Sequence, residues 1–465
     1  MGREVKECCG LFGVYNGRGA ARIVFYGLYS LQHRGEESCG IFSFDGIDFR
    51  HHRGMGLVSE VFPEEKINEL KGHQAIGHVR YSTTGSTAIR NIQPLFANSH
   101  HLSLALAHNG NLVNSSHLRR ELEERGSIFQ SSSDSEIILH LIMRAKKDVL
   151  LERIVAALTK VKGAYSLLIM DGSSIIGIRD PFGFRPLCIG RKDKAFFISS
   201  ESCALDLVGA KFVREVKPGE IVTIDKKGMH SRMFVKEQKK HAFCVFEQVY
   251  FARPDSIIFN QTVHLAREKM GAVLAKEHPT EADCVVGVPD SGASAALGFA
   301  KACGIPLEVG IIRNHYIGRT FIQPYQEKRE FGVKLKFNLL KEVIKNKRVV
   351  IVDDSIVRGT TSRIRVRDFR KMGAKEVHLR ISCPPHRYGC VYGIDFPDAK
   401  ELIANKMSFK EIEKYLGVDS IAYLSIEGML SCLVFPKSCY CLACWDGSYP
   451  VKFHEANKYI LEDMK

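Results

Sequence analysis

The sequence predicts a mixed α/β protein of two or three domains, with a doubly wound parallel sheet in its second half. The chain has 465 residues, which is long enough for several separate cores. Residues 348–352 are rich in Val and Ile and predict a buried strand, followed by a short loop and a helical pattern that ends at Gly373. Residues 283–288 predict a second buried strand ahead of a helix of small residues from Ala293 to Cys303. Repeated strand–loop–helix units are typical of a parallel sheet.

The composition is that of an ordinary globular protein, with 25% charged and 45% hydrophobic residues. No apolar run is long enough for a membrane span, and the N-terminus lacks the apolar core of a signal peptide, so we expect a cytoplasmic protein without a membrane partner. The net charge of +14 comes from scattered basic residues. We therefore do not expect nucleic-acid binding, and a polyanionic small substrate or a merely basic surface both remain open.

The loop after the strand at 348–352 has the composition of a binding site for a phosphorylated sugar. Asp353 and Asp354 come where the strand ends, and their carboxylates suit sugar hydroxyls and a divalent cation such as Mg²⁺. Residues 358–362 add glycine and hydroxyl groups at a helix N-terminus, where backbone N–H groups favour an anion. The alternative is an ordinary turn with an exposed acidic pair.

This loop resembles the phosphoribosyl diphosphate (PRPP) binding loop of type I phosphoribosyltransferases. The resemblance implies substrate contacts from four residues, Arg358, Gly359, Thr360 and Thr361. It also implies that Ser291, in the small-residue turn at 289–292, joins Asp353 and Asp354 in the Mg²⁺ site. The turn itself suits a pyrophosphate group.

The first half of the chain contains a series of motifs in a fixed order. They lie at residues 9–15, 31–36, 77–85, 107–112, 131–136 and 179–187. Together they resemble the class II glutamine amidotransferases, whose nucleophile is an N-terminal cysteine, and the resemblance covers roughly residues 9 to 230. It implies an αββα sandwich of two sheets between helical layers.

The resemblance also implies roles for individual residues. Cys9 matches the nucleophile, and Asn109 and the backbone N–H of Gly110 match the oxyanion donors. Arg80 matches the residue that pairs with the α-carboxylate of glutamine, and Asp134 matches the anchor for its α-amino group. Three histidines in these motifs, His33, His78 and His108, show no spacing that favours a metal site.

A terminal nucleophile requires that the residues before it are removed. The α-amine of Cys9 would then accept the thiol proton, and an α-amine with a pKa of about 8 suits that role at neutral pH. We expect residues 1–8 to be a propeptide removed by self-cleavage. Cys8 departs from the family pattern, which usually has an acidic residue at that place, and it remains the alternative new terminus.

The second half extends the resemblance to the amidophosphoribosyltransferase family. Residues 244–256 and 312–323 carry it, the latter as a loop that closes over PRPP, although His315 stands where the family usually has Arg. We predict a glutamine amidotransferase domain at 9–235 and a phosphoribosyltransferase domain at 236–465. The charged stretch at 233–240 would be the crossing between them.

The fourteen cysteines predict a metal or catalytic role for some of them. Cys441 and Cys444 form a CxxC motif, which alone is weak, and Cys244 and Cys390 lie far away in sequence. The iron–sulfur branch of the family places the four ligands of a [4Fe–4S] cluster at these positions. Zinc in the same cage and plain core cysteines are the alternatives, and Cys439 is a neighbour that could compete.

The resemblance implies a two-site enzyme. Cys9 would release ammonia from glutamine, and the ammonia would cross an internal channel to PRPP to give 5-phosphoribosylamine, glutamate and pyrophosphate, the first committed step of purine synthesis. Purine nucleotides as feedback inhibitors and a homotetramer are further implications. Two alternatives remain: another class II amidotransferase, such as the glucosamine-6-phosphate type, and a non-catalytic sensor of PRPP or nucleotides.

Overall fold

The computed structural model describes residues 9–81, 88–235, 240–314, 337–396, 398–453 and 461. The expected propeptide at 1–8, Cys8, and His315 with the rest of the expected closing loop to residue 323 lie outside the described residues. None of the helices in these ranges combines the length and the apolar character that a membrane crossing requires.

In the described residues of the first half, thirteen strands form two antiparallel sheets. In chain order they are β1 (Gly10–Tyr15), β2 (Ser38–Phe44), β3 (Phe49–Met55), β4 (Gln74–Arg80), β5 (Leu95–Ser99), β6 (Leu102–Leu112), β7 (Gly163–Met170), β8 (Ile175–Arg179), β9 (Cys188–Lys192), β10 (Ala195–Ser199), β11 (Lys211–Glu215), β12 (Glu220–Asp225) and β13 (Gly228–Met233). One sheet has the order β11-β9-β10-β1-β4-β2-β3, and the other has the order β13-β12-β8-β7-β6-β5.

Within residues 9–81 and 88–235, seven α-helices accompany these sheets. They are α1 (Ala20–Ser30), α2 (Val58–Val61), α3 (Glu64–Glu69), α4 (Ser115–Glu124), α5 (Asp134–Arg144), α6 (Leu150–Leu158) and α7 (Cys203–Leu207). Helix α1 packs on the seven-stranded sheet, and α5 packs on β6 of the six-stranded sheet. The apolar spacing of both helices buries one side of each against its sheet.

A core between the two sheets joins them face to face. Leu11 and Ile76 come from the seven-stranded sheet, and Leu168 and Val222 come from the other, and all four are fully buried in one cluster. Separate clusters lie between each sheet and its helices. The predicted αββα sandwich is therefore confirmed.

The second half is built on four parallel strands. They are β17 (Cys284–Gly287), β20 (Arg348–Asp353), β21 (Glu376–Ile381) and β22 (Ser420–Tyr423), in that spatial order. Five shorter strands lie outside this sheet: β14 (Phe243–Cys244), β15 (Ile257–Ile258), β16 (Gln261–Thr262), β18 (Ile311–Arg313) and β19 (Phe337–Leu339). A last strand, β23 (Tyr440–Cys441), pairs in parallel with β14.

Eight α-helices complete the part of this half that the structure describes. They are α8 (Val263–Glu277), α9 (Ala293–Cys303), α10 (Lys341–Ile344), α11 (Thr360–Lys371), α12 (Ile403–Lys406), α13 (Phe409–Leu416), α14 (Ile426–Ser431) and α15 (Ala443–Asp446). A π-helical turn, Glu247–Phe251, follows β14. Gly359 precedes α11 with a φ of 77°, a conformation that an L side chain rarely adopts.

The direction in which the chain adds successive strands reverses between β17 and β20. After β17 the chain runs outward, where Leu307 bridges Val285, whereas after β20 it proceeds the other way to β21 and β22. Right-handed crossovers then place α9 and α11 on opposite faces, so the predicted doubly wound sheet is confirmed. The crevice between the carboxyl ends of β17 and β20 is the place where such folds bind ligands.

Candidate active site

The first candidate centre lies at the start of β1. Cys9 is buried, its Sγ lies 3.4 Å from the carbonyl oxygen of Tyr81, and burial raises the pKa of its thiol. Arg80, Glu37 and Asp134 all lie close enough to act on that pKa. The structure thus brings the predicted nucleophile and both predicted glutamine-binding side chains into one buried place.

The predicted oxyanion donors lie on β6 in the opposite sheet. Both ends of the Asn109 carboxamide are buried without a hydrogen-bond partner among the described residues. Gly110 has a φ of 148°, and a Cβ there would lie 2.0 Å from the carbonyl oxygen of Ala164, so only glycine fits. A buried amide with unused donors is a costly feature in an apolar core, and it indicates a place for a ligand.

Asp134 is a buried carboxylate that stays ionised. Burial alone would raise its pKa, but His108, 3.6 Å away, and the backbone N–H of Leu112, which donates at 2.9 Å, outweigh it, and the pKa falls below its usual value. The residue begins α5, where the helix N-terminus also favours a negative charge. A fixed negative charge here suits the ammonium group of an amino acid.

The second candidate centre occupies the crevice between β17 and β20. Ser291 donates a hydrogen bond to Asp353 at 3.3 Å, and the backbone N–H of Val288 donates to Val352 at 2.9 Å. Burial first, and then the charge of Asp353, raise the pKa of Asp354 to about 7. Arg365 donates to the other oxygen of Asp353 at 2.6 Å.

The predicted phosphate loop follows directly. Arg358 is held by an ion pair with the half-exposed Glu401, to which its Nε donates at 2.8 Å. Gly359 lies so close to Ile403 that a Cβ would meet its Cδ1 at 2.6 Å. Thr360 and Thr361 open α11, so the four predicted substrate residues form one continuous turn at a helix N-terminus.

The four predicted cluster cysteines converge although they lie far apart in sequence. Cys244 and Cys441 are register partners in the β14–β23 pair. Burial is the main cause that raises the pKa values of Cys244, Cys441 and Cys444, and the charge of Cys390 raises all three further. In the described ranges, however, no three His, Cys, Asp or Glu side chains are spaced to hold a single metal ion.

Sequence reasoning assigned no role to several charged residues that the structure places around these centres. They include Arg34, Arg185, Glu201 and Glu247, all fully buried, and Arg365. Arg34 and Arg185 lie inside motifs named above, but a motif match alone does not show which partner an arginine selects. Glu201 lies outside every motif, and Glu247 lies within the stretch at 244–256, where the sequence does not show which partner it binds.

Fold and geometry together define a glutamine amidotransferase joined to a phosphoribosyltransferase. A domain family described as "Glutamine amidotransferase domain" matches residues 78–207. The amidophosphoribosyltransferase of Bacillus subtilis is 48% identical over 97% of this chain and 96% of its own length. That of Methanocaldococcus jannaschii is 49% identical over 96% of this chain and 98% of its own.

Solved structures agree with this. The structure titled "Structure of the allosteric regulatory enzyme of purine biosynthesis" superposes with a TM-score of 0.91 at 48% identity and covers 96% of this chain and 97% of its own. A glutamine PRPP amidotransferase from B. subtilis, complexed with ADP and GMP, gives 0.90 at 48% identity and covers 96% of this chain and 98% of its own.

The chain belongs to the amidophosphoribosyltransferase family. It is an enzyme, a glutamine-dependent transferase that acts on PRPP in purine biosynthesis. The two alternatives are thereby excluded: the chain is neither a glucosamine-6-phosphate type amidotransferase nor a non-catalytic sensor.

Proposed function

We propose that Cys9 generates ammonia from glutamine and that this ammonia reaches PRPP at Asp353 and Asp354 without entering bulk water. The observation that carries the proposal is the buried carboxamide of Asn109, which has no hydrogen-bond partner among the described residues and so leaves donors ready for an oxyanion. The raised pKa of Cys9 supports a base-assisted nucleophile, because a thiol in such a place stays protonated until a base accepts its proton.

The proton acceptor would be the α-amine of Cys9 after removal of residues 1–8. The thiolate attacks the amide carbon of glutamine, and the resulting oxyanion accepts hydrogen bonds from Asn109 Nδ2 and the Gly110 N–H. The C–N bond then breaks as the α-ammonium returns its proton to the leaving nitrogen. Water hydrolyses the Cys9 thioester, which releases glutamate and the free thiol.

Arg80 and Asp134 would hold the amino-acid end of glutamine. A guanidinium can bind the α-carboxylate with two parallel hydrogen bonds, and the ionised Asp134 can accept from the α-ammonium. Both residues act on the pKa of Cys9, so a glutamine held by them would have its carboxamide near Sγ. Holding the reacting atoms in contact supplies much of the rate.

In the second centre, Asp353 and Asp354 would bind the ribose hydroxyls and, with Ser291, Mg²⁺. Two carboxylates and a hydroxyl fit this ion, which usually takes its remaining ligands from water and substrate phosphates. When bound, Mg²⁺ would neutralise charge on the leaving pyrophosphate. Arg358, Gly359, Thr360 and Thr361 would bind the 5-phosphate, and ammonia would displace pyrophosphate from C1.

An enclosed route between the centres would keep the nitrogen reactive, because free ammonia at neutral pH is mostly ammonium. The backbone of Gly393 in the second half packs directly on Gly110, as a Cβ at Gly393 would lie 3.0 Å from the carbonyl carbon of Gly110. Cys383, near Gly393 in sequence, is close enough to Asp353 and Asp354 for their charges to raise its pKa, after burial as the main cause. These contacts support a short distance between the two centres, which an enclosed passage would have to span.

The division of labour is tested with Cys9→Ala. We expect this variant to lose glutamine-dependent synthesis and glutamate release, and to keep synthesis with added ammonium salts. Cys188→Ala, which removes another buried free thiol, is the matched control and should keep both activities. Loss of ammonia-dependent synthesis in Cys9→Ala, or survival of its glutaminase activity, would refute the proposal.

We further propose a [4Fe–4S] cluster on Cys244, Cys390, Cys441 and Cys444. The four thiols fit it because Cys244, Cys441 and Cys444 are buried and each lies close enough to the half-buried Cys390 for its charge to act on them. When bound, the cluster would cross-link β14, β23, α15 and the segment at 390. No step of either reaction needs it.

Metal analysis of anaerobically purified protein tests this assignment. We expect iron and acid-labile sulfide with a broad visible absorption band, lost in Cys441→Ser and kept in Cys439→Ser. Zinc without sulfide would show that zinc occupies the site. Loss of iron in Cys439→Ser but not in Cys441→Ser would show that Cys439, and not Cys441, is a ligand.

Regulation and assembly complete the proposal. The B. subtilis enzyme was solved in complex with ADP and GMP, so we propose that purine nucleotides bind this chain and inhibit it. We also propose a homotetramer, and a cytoplasmic location that suits the free thiols of all described cysteines. Inhibition assays with ADP and GMP and sedimentation analysis of the purified chain test the first two.

A further inference from the structure

A buried ionic network connects the nucleophile to the second half of the molecule. Arg34 donates from Nε to the carbonyl oxygen of Cys9 at 3.1 Å, and it forms a two-pronged pair with Glu247 at 2.7 and 3.0 Å. It also bonds to Glu201. All three charged side chains are fully buried, so none of these bonds is exchanged with water in the folded protein.

Glu247 also binds a second fully buried arginine. Arg185 donates to it at 3.2 Å, and donates from Nε and Nη2 to the carbonyl oxygen of Tyr392 at 3.2 and 2.9 Å. Two guanidinium groups and two carboxylates therefore compensate one another in the interior. Glu247 is the member that contacts both arginines, and it begins a π-helical turn, a feature that often marks functional positions.

The segment that Arg185 holds lies against the oxyanion strand. Val391 accepts a hydrogen bond from Asn111 Nδ2 at 3.0 Å, and Gly393, with a φ of 106°, packs on the backbone of Gly110. No side chain fits between these backbones. The position of residues 391–393 is therefore coupled directly to the position of the Gly110 peptide.

We propose that Glu247 is a positioning residue of the glutaminase centre. Through Arg34 it fixes the main chain of Cys9, and through Arg185 and residues 391–393 it fixes the Gly110 donor. One carboxylate of the second half thus sets the distance between the nucleophile and the oxyanion site. The inference rests on the proposed roles of Cys9 and Gly110.

Glu247→Gln tests it by removing the charge at nearly constant shape. We expect kcat for glutamine hydrolysis to fall by about 100-fold, the effect of a small misplacement of reacting groups. The KM for glutamine should not change, because Arg80 and Asp134 are outside the network. Ammonia-dependent synthesis should remain at the wild-type rate, and Glu247→Asp should recover part of the glutaminase activity.

Glu215→Gln is the matched control, because Glu215 is a largely buried carboxylate 3.5 Å from the buried Arg179 and does not contact Arg34. Rates are referred to chains whose mature N-terminus is verified by mass spectrometry. If Glu247→Gln does not fold, Arg34→Lys replaces it, since lysine lacks the planar fork with which the guanidinium binds both oxygens of Glu247 while its Nε donates to Cys9.

Three outcomes would overturn the inference: wild-type glutaminase activity in the variant, an equal loss of both activities, or the same glutaminase defect in Glu215→Gln. Cys9→Ala, assayed in parallel, separates this failure from failure of the proposed function. If Cys9→Ala keeps glutaminase activity, the proposed nucleophile is wrong. If Cys9→Ala loses glutaminase activity and Glu247→Gln keeps it, the proposed nucleophile is supported and the positioning role of Glu247 is refuted.

Discussion

The two centres each contain a buried aspartate, and their pKa values move in opposite directions. Asp134 in the glutaminase half has a lowered pKa, because His108 and a backbone N–H outweigh the effect of burial. Asp354 in the other half has a pKa of about 7, because burial and the neighbouring Asp353 both oppose its charge. The protein itself stabilises the first charge, whereas the second is left for a cation to stabilise.

This difference matches the two ligands we propose. The ammonium group of glutamine carries a single charge and needs a partner that is ionised before it arrives. Mg²⁺ carries two charges and can displace a proton from a carboxyl that binds it. Repulsion between Asp353 and Asp354 therefore destabilises the Mg²⁺-bound enzyme only slightly. The glutaminase centre therefore stabilises the charge of Asp134 before its ligand binds. The other centre relies on Mg²⁺ to stabilise the charge of Asp354.

The largest expected effect comes from removing the acidic pair. Asp353→Asn combined with Asp354→Asn should lower PRPP-dependent synthesis by more than roughly 1000-fold, since charge stabilisation of the leaving group is lost. Glutamate release from glutamine should continue. Both products are measured in one assay with labelled glutamine, and loss of glutamate release would contradict the separation of the centres.

Asp134→Asn should have the next largest effect. It removes one charge-assisted hydrogen bond, worth about 1.5–3 kcal/mol, so the KM for glutamine should rise roughly 10- to 100-fold. Ammonia-dependent synthesis should not change. Steady-state kinetics with each nitrogen source measure this, and an unchanged KM for glutamine would remove Asp134 from the glutamine site.

The pH dependence of stability sharpens the comparison further. The folded protein keeps the Asp354 proton to higher pH than the unfolded chain does, so this residue contributes stability below about pH 4 that is lost as the pH rises through 7. Without Mg²⁺ and PRPP, Tm of the wild type relative to Asp354→Asn should therefore fall across this range.

Two controls accompany the Tm series. Added Mg²⁺ should reduce the slope, because a bound cation stabilises the ionised pair. Asp134→Asn should instead lose stability relative to the wild type at neutral pH and approach it in acid, since the pKa of Asp134 is lowered. Parallel curves for the wild type and Asp354→Asn would show that Asp354 does not titrate in this window.

The smallest expected effect concerns the ion pair between Arg358 and Glu401. Glu401 is 40% exposed, and pairs of this kind contribute at most about 1 kcal/mol. Glu401→Gln should therefore lower the KM for PRPP, because Arg358 is released to bind phosphate. The decrease should be less than roughly 5-fold. A rise in KM would show that Glu401 orients Arg358 for its substrate.

Sequence reasoning predicted most of the local structure, because the periodic and turn-forming patterns are local. Helix α9 begins and ends at the residues expected, Ala293 and Cys303, and α11 ends just before Gly373, which has a φ of 88°. Strand β20 extends one residue beyond the apolar run and includes Asp353. The binding crevice between β17 and β20 could be predicted because both strands were expected to be parallel neighbours in one sheet.

The contacts between the halves could not be predicted in this way. The pairing of Arg34 with Glu247 spans 213 residues, and nothing near either residue selects the other. The Gly393 backbone fits against Gly110 only because of how two folded units meet. Such contacts depend on tertiary geometry, which a single sequence does not encode in any local pattern.

A small core shared by the two halves has a practical consequence for protein engineering. Phe184 of the glutaminase half is stacked on Tyr392 at 4.3 Å, and Ala164 is buried in the same cluster with Val391 and Ala443. A glutaminase half grafted onto a different ammonia acceptor would expose this apolar surface. A chimera should therefore include residues 240–251 and 390–393 together with the glutaminase half. We expect a chimera that is joined at the linker without these residues to aggregate.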